Sequence, residues 1–389
     1  MRALLQRLML ICFGVGVALV IGEVALRVRE HLSRSANGYS GADTTVKDAR
    51  LGYRVPPNTP GHDSLGFRNQ SVPTHADIVA IGDSQTWGNN VSRDDAWPQV
   101  LGRISRRTVY NMALGGYGPV QYWVLAQDAE TFSPSVLVVV IYFGNDMYDA
   151  YRTVYQSDAY ASFRAPGAAK LAEDTIRPKS DALYDELIAS SAFTKHGPLI
   201  NFALHHSATA RALALLRESD DAFASAKAWA LACPDHGAFY EHNQVRTVFT
   251  TAYRLSALDL DEPRISEGLR ITNVMLLLIS NLAAKNGRKL LVGLIPTKEM
   301  TFSFGTHLKE ATENPTYAKL VRMETLNRQA VISFCEEHHI TYLDLLLPLA
   351  SAVGRNKQIY LTTADGHPDK AGYVVIASAI EDKLEALRW

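Results

Sequence analysis

Three short apolar runs, at 77–81, 108–110 and 136–143, are separated by two helical patterns, and this alternation constrains the fold more than any other feature of the chain. The first and third runs are dense in Val and Ile and lack the polar alternation of a strand that faces water. Such runs read as strands buried on both faces, the kind a parallel sheet requires. Asp94-Asp95-Ala96-Trp97-Pro98 opens one intervening helix, with acidic residues in its first turn and Pro near its start. The other covers 119–132, with Val120, Trp123, Val124 and Gln127 on one side. Strand–helix–strand units of this kind cross over right-handed and lay their helices on the sheet faces.

The alternation lapses over 148–263, which reads as helical and irregular by turns. It resumes with a helix at 267–285, a buried strand at 289–295, an amphipathic helix at 319–338 and a fifth strand at 340–345. Tyr373, Ile376, Ala377, Ile380, Leu384 and Leu387 then recur at helical spacing and form one buried stripe on a terminal helix. The expected fold is α/β in three layers, with a central parallel sheet of about five strands and a largely helical insertion. Residues 76–149 and 265–389 form the two parts of the sheet domain, and 150–264 the insertion over its carboxyl edge. Tyr148, Tyr151, Tyr155, Tyr160 and Phe163 are expected to be the insertion's own small core, with a ligand-cleft lining as the alternative.

Ahead of the sheet domain, residues 8–22 carry no charge, and arginines flank them at positions 2 and 7 and again at 27, 29 and 34. Extended to 4–26 the stretch could cross a membrane of about 30 Å. No Ala-x-Ala site follows it, so residues 1–34 are expected to be an uncleaved anchor rather than a removed signal. Charge on both flanks leaves the orientation open, and the long C-terminal domain is expected outside the cytoplasm, in a periplasm-like compartment. Residues 35–75, rich in Gly, Pro, Asn, Asp and Ser, read as a linker wrapped on the domain, with Arg68 a surface residue. A formal net charge of −1 over 389 residues argues against a nucleic-acid partner. Of the three cysteines only Cys233 and Cys335 could bridge, and buried free thiols are the expected state. The adjacent pairs His205-His206 and His338-His339 point apart on a helix and make poor metal sites. Gly115-Gly116-Tyr117-Gly118 lacks the lysine of a phosphate loop, so no cofactor is expected.

The chemistry gathers at the ends of the strands. The first run stops at Gly82-Asp83-Ser84, which puts a serine just past the carboxyl end of a buried strand, where open α/β sheets bind their ligands. A serine hydroxyl needs a base to become a nucleophile. His367 is the best placed of the twelve histidines, on the loop before the terminal helix and two residues after Asp365. Lys298, just past the fourth strand, is a weaker candidate for contact with substrate.

Gly82-Asp83-Ser84, with Thr86 and Gly88, resembles the first block of the SGNH (GDSL-type) superfamily of serine esterases and acyltransferases. Asn111-Met112-Ala113-Leu114-Gly115-Gly116, Gly144-Asn145-Asp146 and Asp365-Gly366-His367-Pro368 resemble the remaining blocks, in that order. The resemblance implies a flavodoxin-like three-layer domain, with Ser84 as nucleophile, His367 as base and Asp365 as its orienting acid. It assigns the oxyanion donors to the Ser84 N–H, the Gly116 N–H and the Asn145 side-chain amide, with Gly115 and Gly118 competing for the place of Gly116. One departure is that a single residue separates Asp365 from His367 where the superfamily has two, so a dyad helped by a backbone carbonyl is an open alternative. The implied activity is ester hydrolysis or O-acyl transfer through an acyl-serine. The expected substrate is an acylated, acetyl-bearing carbohydrate, and a membrane-bound acyl donor is a further expected partner. The alternatives are a binding or scaffold module on a retired fold, and a lipid or thioester esterase.

Overall fold

The computed structural model describes residues 14, 20–25, 45–165, 222–306, 308 and 313–389. A short antiparallel hairpin, β1 (Val46–Asp48) and β2 (Gly52–Arg54), precedes the first sheet strand, β3 (Ile78–Ile81). A one-turn helix, α1 (Ser84–Trp87), and α2 (Trp97–Ser105) lead to β4 (Val109–Asn111). Helix α3 (Pro119–Ala129) leads to β5 (Val136–Tyr142), and α4 (Asp146–Gln156) follows at once. Further on come the hairpin β6 (Ala238–His242) and β7 (Val245–Phe249), then α5 (Thr251–Ser256) and α6 (Pro263–Lys285). The chain finishes with β8 (Lys289–Ile295), α7 (Lys298–Thr306), α8 (Pro315–Glu337), β9 (Tyr342–Asp344), α9 (Leu346–Gly354) and α10 (Lys370–Ala386).

Five strands pair in parallel in the order β4-β3-β5-β8-β9. The chain steps from β3 out to β4, then returns to the far side of β3, so the strand order reverses between β3 and β5. This is the flavodoxin-like order, and the crevice beyond the carboxyl ends at the reversal is its ligand site. Burial on both faces follows from the uninterrupted apolar runs. Val79, Ile81, Leu137, Val139 and Ile141 join a core with α3, α4, α6 and α8. Their alternates Ile78, Ala80, Val136, Val138 and Val140 join a second core with α2, α7, α9 and α10. Within the terminal stripe, Tyr373, Ile376, Ala377, Ile380 and Leu384 are all buried there.

Helix α6 crosses α4 so closely that a Cβ on Gly268 would sit 1.8 Å from the Met147 carbonyl oxygen. Backbone cannot yield as a side-chain tip can. Gly268→Ala is therefore expected to cost about 1–3 kcal/mol of stability. A thermal unfolding midpoint equal to that of wild type would mean that the two helices part freely.

Several features depart from the sequence reading. Helix α4 runs straight across the expected boundary at 149/150, and Tyr148, Tyr151, Tyr155 and Tyr160 belong to the core beneath the sheet rather than to a separate core in the insertion. The reason is that one face of α4, which also carries Met147 and Val154, lies against α6. Where only helix and irregular chain was expected, β6 and β7 form a hairpin. Residues 45–75 do more than link, since their side chains reach into the domain at the places described below. Cys233 and Cys335 are not joined in a disulfide, in line with the expectation. No helix among the described residues is long and apolar enough to cross a membrane. The expected anchor at 1–34 lies outside them save for Gly14 and residues 20–25, as do Cys12, His205 and His206.

Candidate active site

Strand β3 ends at Gly82, and Asp83 caps the one-turn helix that Ser84 begins, its carboxylate accepting from the Gln85 N–H at 2.8 Å. The helix closes at Gly88 in the left-handed region, φ 90°, a conformation that glycine adopts without steric cost. This turn is gripped from two sides. Asn111 at the end of β4 donates to the Thr86 carbonyl at 3.0 Å. Arg68 donates to the carbonyls of Trp87, Gly88 and Val91 at 3.1, 2.6 and 2.7 Å, with its guanidinium 3.9 Å over the Trp87 ring. Arg68 is therefore not the surface residue the sequence suggested: it is 1% exposed. Burial lowers its guanidinium to about 10, so it stays charged at neutral pH.

The structure brings Ser84, His367 and Asp365 into one hydrogen-bonded chain. Ser84 Oγ lies 2.8 Å from His367 Nε2, and His367 Nδ1 lies 2.7 Å from Asp365 Oδ1. The same Oδ1 accepts the backbone N–H of His367 at 2.8 Å, so the single intervening residue folds into a tight turn around the carboxylate. Burial alone would raise the Asp365 carboxyl. The His367 charge, its two hydrogen bonds and the Asn90 side chain outweigh burial and hold it well below the usual carboxylate range. An ionised carboxylate at Nδ1 makes that nitrogen the donor and leaves Nε2 free to accept the serine proton. Helix capping falls to Asp369, which accepts from the Gly372 N–H at 2.9 Å.

The candidate oxyanion donors lie around Ser84. The N–H groups of Ser84, Gly115 and Gly116 meet no acceptor among the described residues. Gly118 is excluded because its N–H goes to Gln121 Oε1 at 3.2 Å. A Cβ on Gly115 would stand 3.7 Å from Ser84 Cβ, and Gly116 turns the chain there with φ 78°. Tyr53 of β2 pins this turn, its hydroxyl donating to the Gly115 carbonyl at 2.7 Å. Asn145 begins α4 and donates from Nδ2 to Asp149 Oδ2 at 2.7 Å; Asp149 in turn pairs with Arg152 at 2.8 Å, and Arg152 reaches the Gly116 carbonyl at 3.4 Å. The second and third blocks are thereby tied together.

Beneath Ser84 three carboxylates, Asp83, Asp146 and Asp149, are buried together. Burial pushes Asp83 up to about 6, opposed by the Gln85 N–H, His367 and the Asn145 amide. Burial, then the charge of Asp83, pushes Asp146 up as well, and Asp146 closes the turn after β5 by accepting the Tyr142 N–H and the Tyr122 hydroxyl, each at 2.9 Å. Two cations stand behind the loop that carries Asp365 and His367, Arg254 missed by the sequence reading and Lys298 expected only as a substrate contact. Lys298 is fully buried, so it is not a substrate contact as it stands, and its ammonium donates to the Asp365 carbonyl at 2.8 Å. Arg254 lies against Gly366, where a Cβ would come within 2.4 Å of its Nη2. Neither carries a motif, and charged residues read from sequence as exposed.

No family model and no curated protein matches the sequence. Among solved structures, one assigned to the G-D-S-L lipolytic family from Desulfitobacterium hafniense is 13% identical, with a TM-score of 0.37, covering 80% of this chain and 99% of that one. A GDSL-like lipase from Bacteroides thetaiotaomicron is 10% identical, with a TM-score of 0.35, covering 80% and 88%. A catalytic mutant of an acetylxylan esterase from Geobacillus stearothermophilus is 11% identical, with a TM-score of 0.36, covering 80% and 95%. It is the chain's own topology and block geometry that characterise it. Three layers in flavodoxin-like strand order bring the four polar blocks together where that order reverses, the arrangement that the resemblance to the SGNH superfamily implies.

Proposed function

We propose that this chain is a serine ester hydrolase acting through an acyl-serine intermediate. The hydrogen-bonded chain from Ser84 Oγ through His367 to Asp365 carries the reading. As Oγ bonds to the acyl carbon, His367 Nε2 takes its proton, and Asp365 balances the imidazolium that forms. The carbonyl oxygen becomes an oxyanion facing the Ser84 and Gly116 N–H groups and the Asn145 amide. His367 returns the proton to the departing alcohol; a water then repeats the sequence on the acyl-serine and frees the acid.

A fluorophosphonate probe is expected to label wild type and not Ser84→Ala. Absence of labelling under conditions that label a control serine hydrolase would instead support a binding module. Acetyl esters of a carbohydrate are the proposed substrates, presented to a membrane-tethered enzyme outside the cytoplasm, and O-acyl transfer uses the same groups with a sugar hydroxyl in place of water. An activated acetyl ester offered with graded glycan acceptor separates the two. Product partition unmoved by the acceptor is expected of a hydrolase.

A further inference from the structure

Lys298 is buried with no carboxylate in direct contact with its ammonium. Its Nζ is fully covered, and no carboxylate oxygen among the described residues lies within ion-pair distance of it. Its three donors go to neutral oxygens: the Thr247 hydroxyl at 3.0 Å, the Thr363 carbonyl at 3.0 Å and the Asp365 carbonyl at 2.8 Å. Burying an ammonium in this way is costly, and an apolar side chain of similar length would avoid the cost. Stability therefore gives no reason for a lysine here. What the ammonium does hold is the stretch that ends in the acid–base turn. Thr247 of β7 binds the same stretch from the side, donating to the Leu361 carbonyl at 2.8 Å. Because Asp365 Oδ1 accepts both the ring and the backbone N–H of His367, the direction of its carboxylate depends on how the Asp365 backbone is turned.

We propose that Lys298 is a positioning residue for the Ser84–His367–Asp365 chain, fixing the backbone turn that aims the Asp365 carboxylate at His367. The proposal rests on the esterase reading. It carries a pH signature. An ammonium has three N–H donors for three acceptors, whereas the neutral amine has two and must turn a lone pair toward an oxygen. Burial lowers Lys298 from 10.5 to about 8, with Glu299 on its own helix and Asp365 acting to keep it charged and Arg254 of α5 acting against it. Glu324 of α8 lies beyond Glu299, and α9 carries no titratable side chain. Activity should thus fall along an alkaline limb centred near 8. Between about 8 and 10.5 the unfolded chain holds the Lys298 proton and the folded chain does not, so this group's contribution to stability rises with pH as the activity falls. A limb caused by alkaline unfolding would pair the two losses.

Lys298→Met, assayed on an activated acyl ester, is expected to lower kcat about tenfold at pH 7, to leave KM nearly unchanged and to lose the alkaline limb. A folded variant with wild-type kcat, or one that keeps the limb, overturns the proposal. Should that variant not fold, Thr247→Val decides: by removing one acceptor it should move the limb of a folded enzyme to lower pH, and a limb left where wild type has it, or a wild type with no limb at all, overturns the proposal equally. A wild type that fails to label with fluorophosphonate sinks the esterase reading, and this proposal with it. Labelling combined with either negative result sinks the positioning role alone.

Discussion

Asp365→Asn is expected to lower kcat by about 10²-fold at least and about 10⁴-fold at most, with little change in the thermal midpoint. The two limits correspond to two placements of the new amide. An amide oxygen kept where Oδ1 now sits would still accept both N–H groups of His367, so the ring would keep its tautomer and only the charge that balances the imidazolium would be lost. An amide nitrogen turned toward Nδ1 would force that nitrogen to accept, put the proton on Nε2 and leave the serine without a base. Stability should hold because Asp369, not Asp365, caps α10. Steady-state kinetics and a melt on one variant suffice. Full activity would mean that His367 works without its carboxylate, as in the dyad alternative.

Removing the Asn145 amide is expected to lower kcat by about 10²–10³ while KM changes little, the mark of a donor used only when the oxyanion forms. The structure sharpens this expectation. Asn145 Nδ2 already donates to Asp149, and its amide also helps to hold down the Asp83 carboxyl. The amide is therefore held before substrate arrives, so little reorganisation is needed at the moment of reaction. The same contacts give Asn145 a share in stability of about 1 kcal/mol, because Asp149 keeps its pair with Arg152 when the amide is gone. Asn145→Ala should thus show a small drop in melting temperature beside a large drop in kcat. A drop confined to melting temperature would leave Asn145 as a helix-start residue of α4 and nothing more.

How far the sequence announced this structure depends on what holds each part in place. Strand β8 covers the expected residues, Lys289–Ile295, and from Leu290 onward it is buried throughout, because a strand covered on both faces has no reason to mix its residues. The turns that carry Ser84, Asn145 and His367 lie where the reading expected them, past β3, past β5 and ahead of α10, because a buried strand leaves its polar residues to its ends. The hairpin β6–β7 was not expected. Its turn, Asn243-Gln244, takes positive φ at both positions, 52° and 74°, without the glycine that usually marks such a turn. Arg68 and Lys298 were misplaced for a related reason. Their burial is set by backbone carbonyls that only the folded chain assembles, at Trp87, Gly88 and Val91 for one and at Thr363 and Asp365 for the other. Tyr148, Tyr151 and Tyr155 were assigned to the insertion because the strand–helix rhythm falters beyond them, although they share a face of α4 that packs on the main core.

Ser84 and the base that meets it are 283 residues apart, and His367 sits just ahead of the last helix, α10, which packs beside α2 on the sheet. A contact so remote in sequence closes a loop across 283 positions, whose entropy must be offset before it can form. Ser84 accordingly lacks the imidazole beside it in any state in which the loop ahead of α10 is not in place. During refolding, reaction with a serine-directed probe is expected to report the arrival of this loop beside Ser84, which the growth of helix signal alone does not. On the esterase reading, hydrolytic power therefore depends on the docking of α10, a helix that makes no bond to the substrate itself.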